Sequence, residues 1–539
     1  MLVLRFRPLL VPLSIFLLAL IVRAIGLGWG LPNAGRWGSY HPDESTRQIV
    51  GAVVHVLGGD PNPHFFNYPS LSIYATTAIY FVLSGFGLTT NGPFPAYPWP
   101  LFRDIIVAGR LFSVVCGAGC AVCVWGMARE VGLRRGALLA GALMALCPGL
   151  VQHSHFATVD VPATFFVSAC LWTTLRAANH PLQTKWWIWS AILAGLATGA
   201  KYNAGLVVIA PLVALFLARR TEHKPAKWLF PAMIGLAALA FLVSTPYSLL
   251  SPSEFWGDPN TKSGFAYELL FHPREGSGEI FQGTGLGWWY HLTFNLPFVL
   301  TWPLLLSGIG GAIFAVKDRR HLPLLVFALV YFLIIGASQV RFMRYTFFLV
   351  PPLLVWAALC VSRLKKPRMW AGALVLFALW GTKDALVPLV SVDPRDQAAA
   401  YIKQVGGRPT LIGNPWFYTP PFQPRNDNSP VAGVKIVGFD ASKLNPATDT
   451  LAVSEYEVRE GLRLRPNGIE AKFLEEAKKI GFKTRPNVPQ TRLGFRYFDP
   501  WDPTILPGFQ DEEPHDYLYT HPYVLVFRLE PSSKARNSP

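Results

Sequence analysis

Apolar runs of roughly 20 residues recur along this chain as far as residue 389, at 8–27, 104–128, 136–152, 160–177, 186–200, 203–218, 228–247, 290–316, 322–338, 343–361 and 369–389. A run of that length can cross the hydrocarbon core of a bilayer as a helix. In lipid the backbone must satisfy its own hydrogen bonds, so a helix is the form such runs must take. Soluble domains carry about 25% charged residues, whereas only 15% of these 539 residues are charged and 51% are hydrophobic. The fold class expected is therefore a polytopic α-helical membrane protein. The first run follows Arg5 and Arg7 and precedes no small-residue cleavage site, so it reads as a signal anchor.

The formal net charge of +16 would ordinarily raise nucleic acid as a partner, but its placement argues otherwise. Residues 1–389 hold 29 basic and 14 acidic residues, and residues 390–539 hold 19 and 18. The excess belongs to the apolar part, where Lys and Arg mark cytoplasmic loops. The stretch 68–87 decides the count of crossings, because it is apolar yet rich in Ser, Thr and Tyr. If it lies along the interface, the inner loops hold 18 basic residues against Glu130, Glu222 and Asp318. If it spans, the later basic loops move outside, which the charge rule disfavours. The expectation is about 11 transmembrane helices plus an interfacial helix, with an inner N-terminus and residues 390–539 on the outer face.

Two domains follow: 1–389 in the membrane, and 390–539 as a small extracytoplasmic α/β domain. The second mixes helical patterns (DPRDQAAAYIKQV, GIEAKFLEEAKKIGF) with short β-type runs (TLIG, VKIVGF, YVLVFRL). Its last residues, 531–539, are expected to be unordered. All six cysteines lie in apolar runs, where they read as small residues packing between helices rather than a disulfide framework.

Ionisable residues at membrane depth are costly and usually face a cavity. On the outer side they are few: Asp43 and Glu44 after the first span, His153, His155 and Asp160 around the fourth, Lys201 between two apolar runs, and Arg341 and Arg344 at the tenth. Acids and bases thus collect at one level. A carboxylate there can take the proton of an acceptor hydroxyl, and fixed cations can hold a lipid-linked phosphate and stabilise it as it leaves.

These segments carry a resemblance. HPDE (His41 to Glu44), FFNYPSL (Phe65 to Leu71), AGRLFSVVCG (Ala108 to Gly117), HSHFATVDVP (His153 to Pro162), GLATGAKYNA (Gly195 to Ala204) and RFMRYTFFLVPPL (Arg341 to Leu353) occur in that order. The ordered set resembles membrane glycosyltransferases of the GT-C type, in the family 39 group of protein O-mannosyltransferases and the lipid A aminoarabinose transferase. The resemblance implies that Asp43 is the catalytic base, with Glu44 its companion and Asp160 a second, supporting acid. It implies that Lys201, Arg341 and Arg344 lie near the donor phosphate, with Tyr202 and Tyr345 lining the pocket. It implies a polyprenyl-phosphate sugar donor, an acceptor hydroxyl on lipid, polysaccharide or protein, and inversion at the anomeric carbon. The segment 248–289 departs from the pattern, being too short for the β-trefoil domain of eukaryotic protein mannosyltransferases.

Plainer readings stand beside these. Asp43 and Glu44 suit the first turn of a helix, Asp160 before Val161-Pro162 suits an N-cap, and Lys201 could snorkel to the interface. His153 and His155 lack a third ligand and read as pocket residues, so no cofactor is implied and a divalent metal is not indicated. The alternative function is a lipid-linked sugar transporter or flippase, which would want its cations spread along the crossing path. The location implied is a prokaryotic cytoplasmic membrane. A reporter active only outside that membrane, fused after residue 400, is expected to be active; a cytoplasmic signal would dismantle the site.

Overall fold

The computed structural model describes residues 2–90, 98–422, 433–481, 483–485 and 513–528; the tail expected to be unordered lies outside them. Most of the described chain is helical. Among the described residues, four helices are long and apolar enough to cross a membrane, Trp99–Glu130, Arg319–Ala337, Met343–Arg363 and Pro367–Val405, or five if a bent pair counts as one span. Shorter apolar helices cover Leu9–Ala24, Leu71–Gly85, Tyr202–Ala218 and Leu229–Ser244. Leu71–Gly85 occupies the stretch expected to form the interfacial helix.

Proline shapes two of the expected spans. The segment 290–316 breaks at Thr301, where helices Gly287–Leu300 and Trp302–Ala315 meet at 116°. Pro303 has no N–H for the carbonyl four residues back, and its ring collides with that turn. Thr301 adopts a positive φ of 75° at the corner. Similarly, 343–361 opens as a 3-10 helix over Met343–Leu349 and becomes α-helical at Val350–Arg363. Pro351 and Pro352 sit in the first turn of that α-helix, where no amide donor is needed.

The helices pack through small residues. Helix 302–315 lies along helix 350–363, and helix 160–179 lies between 99–130 and 184–200. Gly119 faces the Phe165 ring, Gly126 faces Trp172, and Gly311 faces the Trp356 carbonyl oxygen. Close backbone approach of this kind lets dispersion contacts hold helices together in lipid. The cysteines are all free, five of them buried in the bundle. Arg23 is fully buried within the first helix. It donates to the carbonyls of Met144 and Ala145 and to Ser154 Oγ at 2.7–3.1 Å, tying that helix to the turn that follows residue 145.

Beyond residue 390 a five-stranded mixed sheet forms from β1 (Arg408–Leu411), β2 (Lys435–Ile436), β3 (Asp449–Ser454), β4 (Lys483–Arg485) and β5 (Val524–Arg528). Its order is β2-β1-β3-β5-β4, with β1 parallel to β2 and β3, and β5 antiparallel to β3 and β4. The runs TLIG, VKIVGF and YVLVFRL contribute β1, β2 and β5. The central strand β3 escaped the sequence reading, because DTLAVS is short and buried along its whole length and so shows no alternation. Helix 394–405 begins at an Asp393 cap and helix 455–464 at a Ser454/Glu457 capping box, both ordinary N-terminal signals.

Gly311→Ala should force the 302–315 and 350–363 helices apart, because the added methyl collides with main chain. Overpacking of that kind costs about 1–3 kcal/mol, so the thermal unfolding midpoint in detergent should fall; an unchanged midpoint would mean this helix contact is loose.

Candidate active site

The turn His41-Pro42-Asp43-Glu44 is a short 3-10 helix. Pro42 opens it, and the Asp43 N–H donates to His41 Nδ1 at 3.2 Å. The two acids leave it in different roles. Glu44 is fully buried, and its oxygens accept from Arg110 Nε at 2.9 Å, Arg110 Nη2 at 2.8 Å, Ser39 Oγ at 2.5 Å and the Ala157 N–H at 2.7 Å. Arg110 also donates to the carbonyls of Leu27 and Trp29. Stranding either partner of a buried pair like this costs about 3–5 kcal/mol. Glu44 is therefore a clamp that holds the turn against helix 99–130.

Asp43 faces the other way, into a cluster of charges. Its Oδ2 lies 3.7 Å from Arg344 Nη2. Burial pushes its pKa up, against the opposing pull of Arg344 and Lys201. Asp160 is the first residue of helix 160–179 but caps nothing. Its Oδ1 accepts from Lys201 Nζ at 2.6 Å, and its Oδ2 lies 3.9 Å from Arg344 Nε. Lys201 ends helix 184–200 in an extended conformation, so its ammonium turns inward, 4.5 Å from the Tyr345 ring centroid. It does not snorkel. Arg344 comes from the 3-10 segment 343–349, with its guanidinium 4.2 Å from the centroid of Phe342.

Several buried polar atoms here have no hydrogen-bond partner: Asp43 Oδ2, Arg344 Nη1 and both ring nitrogens of His153. Buried polar groups are normally paired, so this concentration marks a place where a polar ligand fits. His153 stands between Phe156 and Phe347, and burial pulls its pKa down to about 4. His155 does not join it. Its ring nitrogens bond the carbonyls of Val151 and Ile25 at 2.8 and 2.7 Å. Arg341 likewise turns away, donating to Thr284 Oγ1 and the Gly285 carbonyl, both at 2.7 Å, and so pins the 248–289 segment. The Tyr202 hydroxyl donates to the Phe66 carbonyl at 2.9 Å. Among the described residues no three His, Cys, Asp or Glu side chains converge as a metal site.

Residues that the sequence reading passed over also reach this place. Asp516, wholly buried, has Oδ2 3.9 Å from Arg344 Nη1 and 3.9 Å from His153 Nε2. Its surroundings in the tail, EEPHDYLYT, concentrate acids and aromatics and offered a signal. Glu268 accepts from Asn67 Nδ2 at 3.3 Å, and burial raises its pKa to about 7, with the charge of Asp43 adding to the shift and Lys201 and Arg344 opposing it.

Residues 97–244 match the family model described as dolichyl-phosphate-mannose-protein mannosyltransferase. The archaeal oligosaccharyltransferase AglB from Archaeoglobus fulgidus shares the fold at a TM-score of 0.51 and 14% identity, covering 88% of this chain and 73% of that one. Over residues 97–244 the chain is similar to that mannosyltransferase family. ArnT from Cupriavidus metallidurans aligns at a TM-score of 0.47 and 17% identity, over 74% of this chain and 72% of that one. The S. cerevisiae protein O-mannosyltransferase Pmt1-Pmt2 complex aligns at a TM-score of 0.35 and 20% identity, over 45% of this chain and 34% of that one. No curated protein sequence matches the chain.

Glu268 gives a pH signature. Its folded pKa of about 7 stands above the ordinary 4.5, so between those values the folded state binds more proton than the unfolded one. Stability contributed by this group is full below about pH 4.5 and is lost as pH rises toward 7. Glu268→Gln should flatten the fall in unfolding midpoint across that window; an unaltered slope would place Glu268 in contact with solvent.

Proposed function

We propose that this protein transfers a sugar from a polyprenyl-phosphate donor to an acceptor hydroxyl on the outer face of a prokaryotic cytoplasmic membrane. The observation that carries the reading is the convergence of Asp43, Asp160, Lys201 and Arg344 around unpaired buried polar atoms. AglB, of like fold, was solved with a dolichol-phosphate and an inhibitory peptide, and the same class of donor is proposed here.

In this mechanism the acceptor oxygen attacks the anomeric carbon while the bond from that carbon to the phosphate oxygen breaks. Displacement in one step inverts the centre. The proton of the acceptor hydroxyl passes to Asp43, whose raised pKa makes it a better base than an exposed aspartate. Lys201 and Arg344 take up the charge that grows on the departing phosphate, so no general acid is needed. Asp160 acts through Lys201, holding its ammonium at 2.6 Å. A cleft lined by Arg36, Tyr40, Pro42, Arg47, Trp416 and Phe417 opens beside the turn bearing Asp43, and the acceptor is proposed to approach through it.

The test is purified protein in liposomes offered a panel of polyprenyl-phosphate sugars, with membrane extracts as acceptors. Asp43→Asn should lower transfer by about 10²–10⁴-fold, the usual span for a lost general base, with an unchanged unfolding midpoint. Turnover retained by that variant would remove Asp43 as the base. Donor movement between leaflets without transfer would make the protein a transporter.

A further inference from the structure

Arg344 is the proposed phosphate ligand with the least support from its own neighbourhood. It sits at the start of the 3-10 segment Met343–Leu349, whose preceding residue, Phe342, has no side chain to cap the turn. The first amides of any helix lack internal partners and need acceptors from elsewhere. Both are met by one residue far along the chain. Asp516 Oδ1 accepts from the Met343 N–H at 2.9 Å, and Oδ2 accepts from the Arg344 N–H at 3.0 Å. A carboxylate taking two backbone N–H groups is a charge-assisted pair, stronger than a neutral one.

The segment carrying Asp516 is itself tied to the membrane bundle. Gln152 Nε2 donates to the Tyr517 carbonyl at 2.8 Å and to Thr520 Oγ1 at 3.1 Å. Arg395 Nη2 donates to the Tyr519 carbonyl at 2.8 Å, and the Tyr456 hydroxyl donates to the His515 carbonyl at 2.7 Å. Tyr517 packs into the main apolar core of the bundle, 5.6 Å from Phe298 between ring centroids. Residues 514–521 are all buried. Asp516 thus enters the site on a strap braced from both sides.

We infer that Asp516 is a positioning residue: by capping the 343–344 turn from the strap 513–521, it aims the Arg344 guanidinium between Asp43 and Asp160. This rests on the proposed role of Arg344 as a phosphate ligand. Asp516 itself needs no contact with the donor. Without the cap the turn loses both acceptors, and Arg344 is free to collapse onto either neighbouring aspartate as a closed pair.

The experiment is a double-mutant cycle on full-length protein in detergent, reading affinity for undecaprenyl phosphate alone, so that neither sugar nor acceptor need be known. Asp516→Asn should weaken binding about tenfold in the otherwise unchanged protein. It should have little further effect in the Arg344→Ala background, because it acts only through that arginine. Gln152→Leu, which loosens the strap while leaving Asp516 in place, should shift affinity in the same direction by less, and serves if Asp516→Asn does not fold. Unchanged binding, or an equal loss with and without Arg344, overturns the inference while the functional reading stands. Failure of the unaltered protein to bind the lipid phosphate overturns that reading and this inference with it.

Discussion

A guanidinium held loosely by three carboxylates organises this protein. Arg344 lies 3.7–3.9 Å from Asp43, Asp160 and Asp516, within reach of each and closed onto none. A buried charge without compensation is very costly, so the surroundings must deliver acids to it. A ligand, however, needs guanidinium N–H groups that are not already bonded, and Arg344 Nη1 has no hydrogen-bond partner. The intermediate distances meet both demands. They require three separate stretches of chain to be fixed at once: the turn at 42–44, the start of helix 160–179, and the strap at 513–521.

The first turn and the strap are fixed by groups that take no part in the charge cluster. Arg110 and Glu44 lock the first turn to helix 99–130, and Arg23 locks the first helix to the 144–154 region through main-chain carbonyls. Arg395, paired with Asp393 and donating to the Tyr519 carbonyl, holds the strap. Buried arginines therefore do the scaffolding. The planar five-donor group suits this, since one side chain can satisfy several acceptors arriving from different directions.

The cluster was legible in sequence because membrane depth makes every ionisable residue conspicuous. Asp43, Asp160, Lys201 and Arg344 were read from that cost alone, and the structure gathers them. Glu44, His155 and Arg341 stood out for the same reason, yet the structure spends them on scaffold bonds: cost identifies a buried polar group without saying what satisfies it. Asp516 was invisible by that criterion, since the tail is polar and an acid there is unremarkable. The interrupted spans were legible only in part. The 116° corner at Thr301 follows from Pro303, which a hydropathy count passes over. In the sheet β1, β2 and β5 were found and β4, three residues long, was not; the central β3 was missed because full burial erases the period that identifies a strand.

The cap on Arg344 also has a temporal meaning. Asp516 follows Arg344 by 172 residues, so the ribosome completes the candidate spans before it makes the residue that finishes the cluster. Contacts of such sequence separation form late, after nearer ones have paid down the chain's freedom. A chain still being inserted therefore holds the charges of the cluster in an unfinished arrangement. Maturation of the cluster becomes a step that happens on the side of the membrane where the strap folds, and only after the bundle it braces is in place.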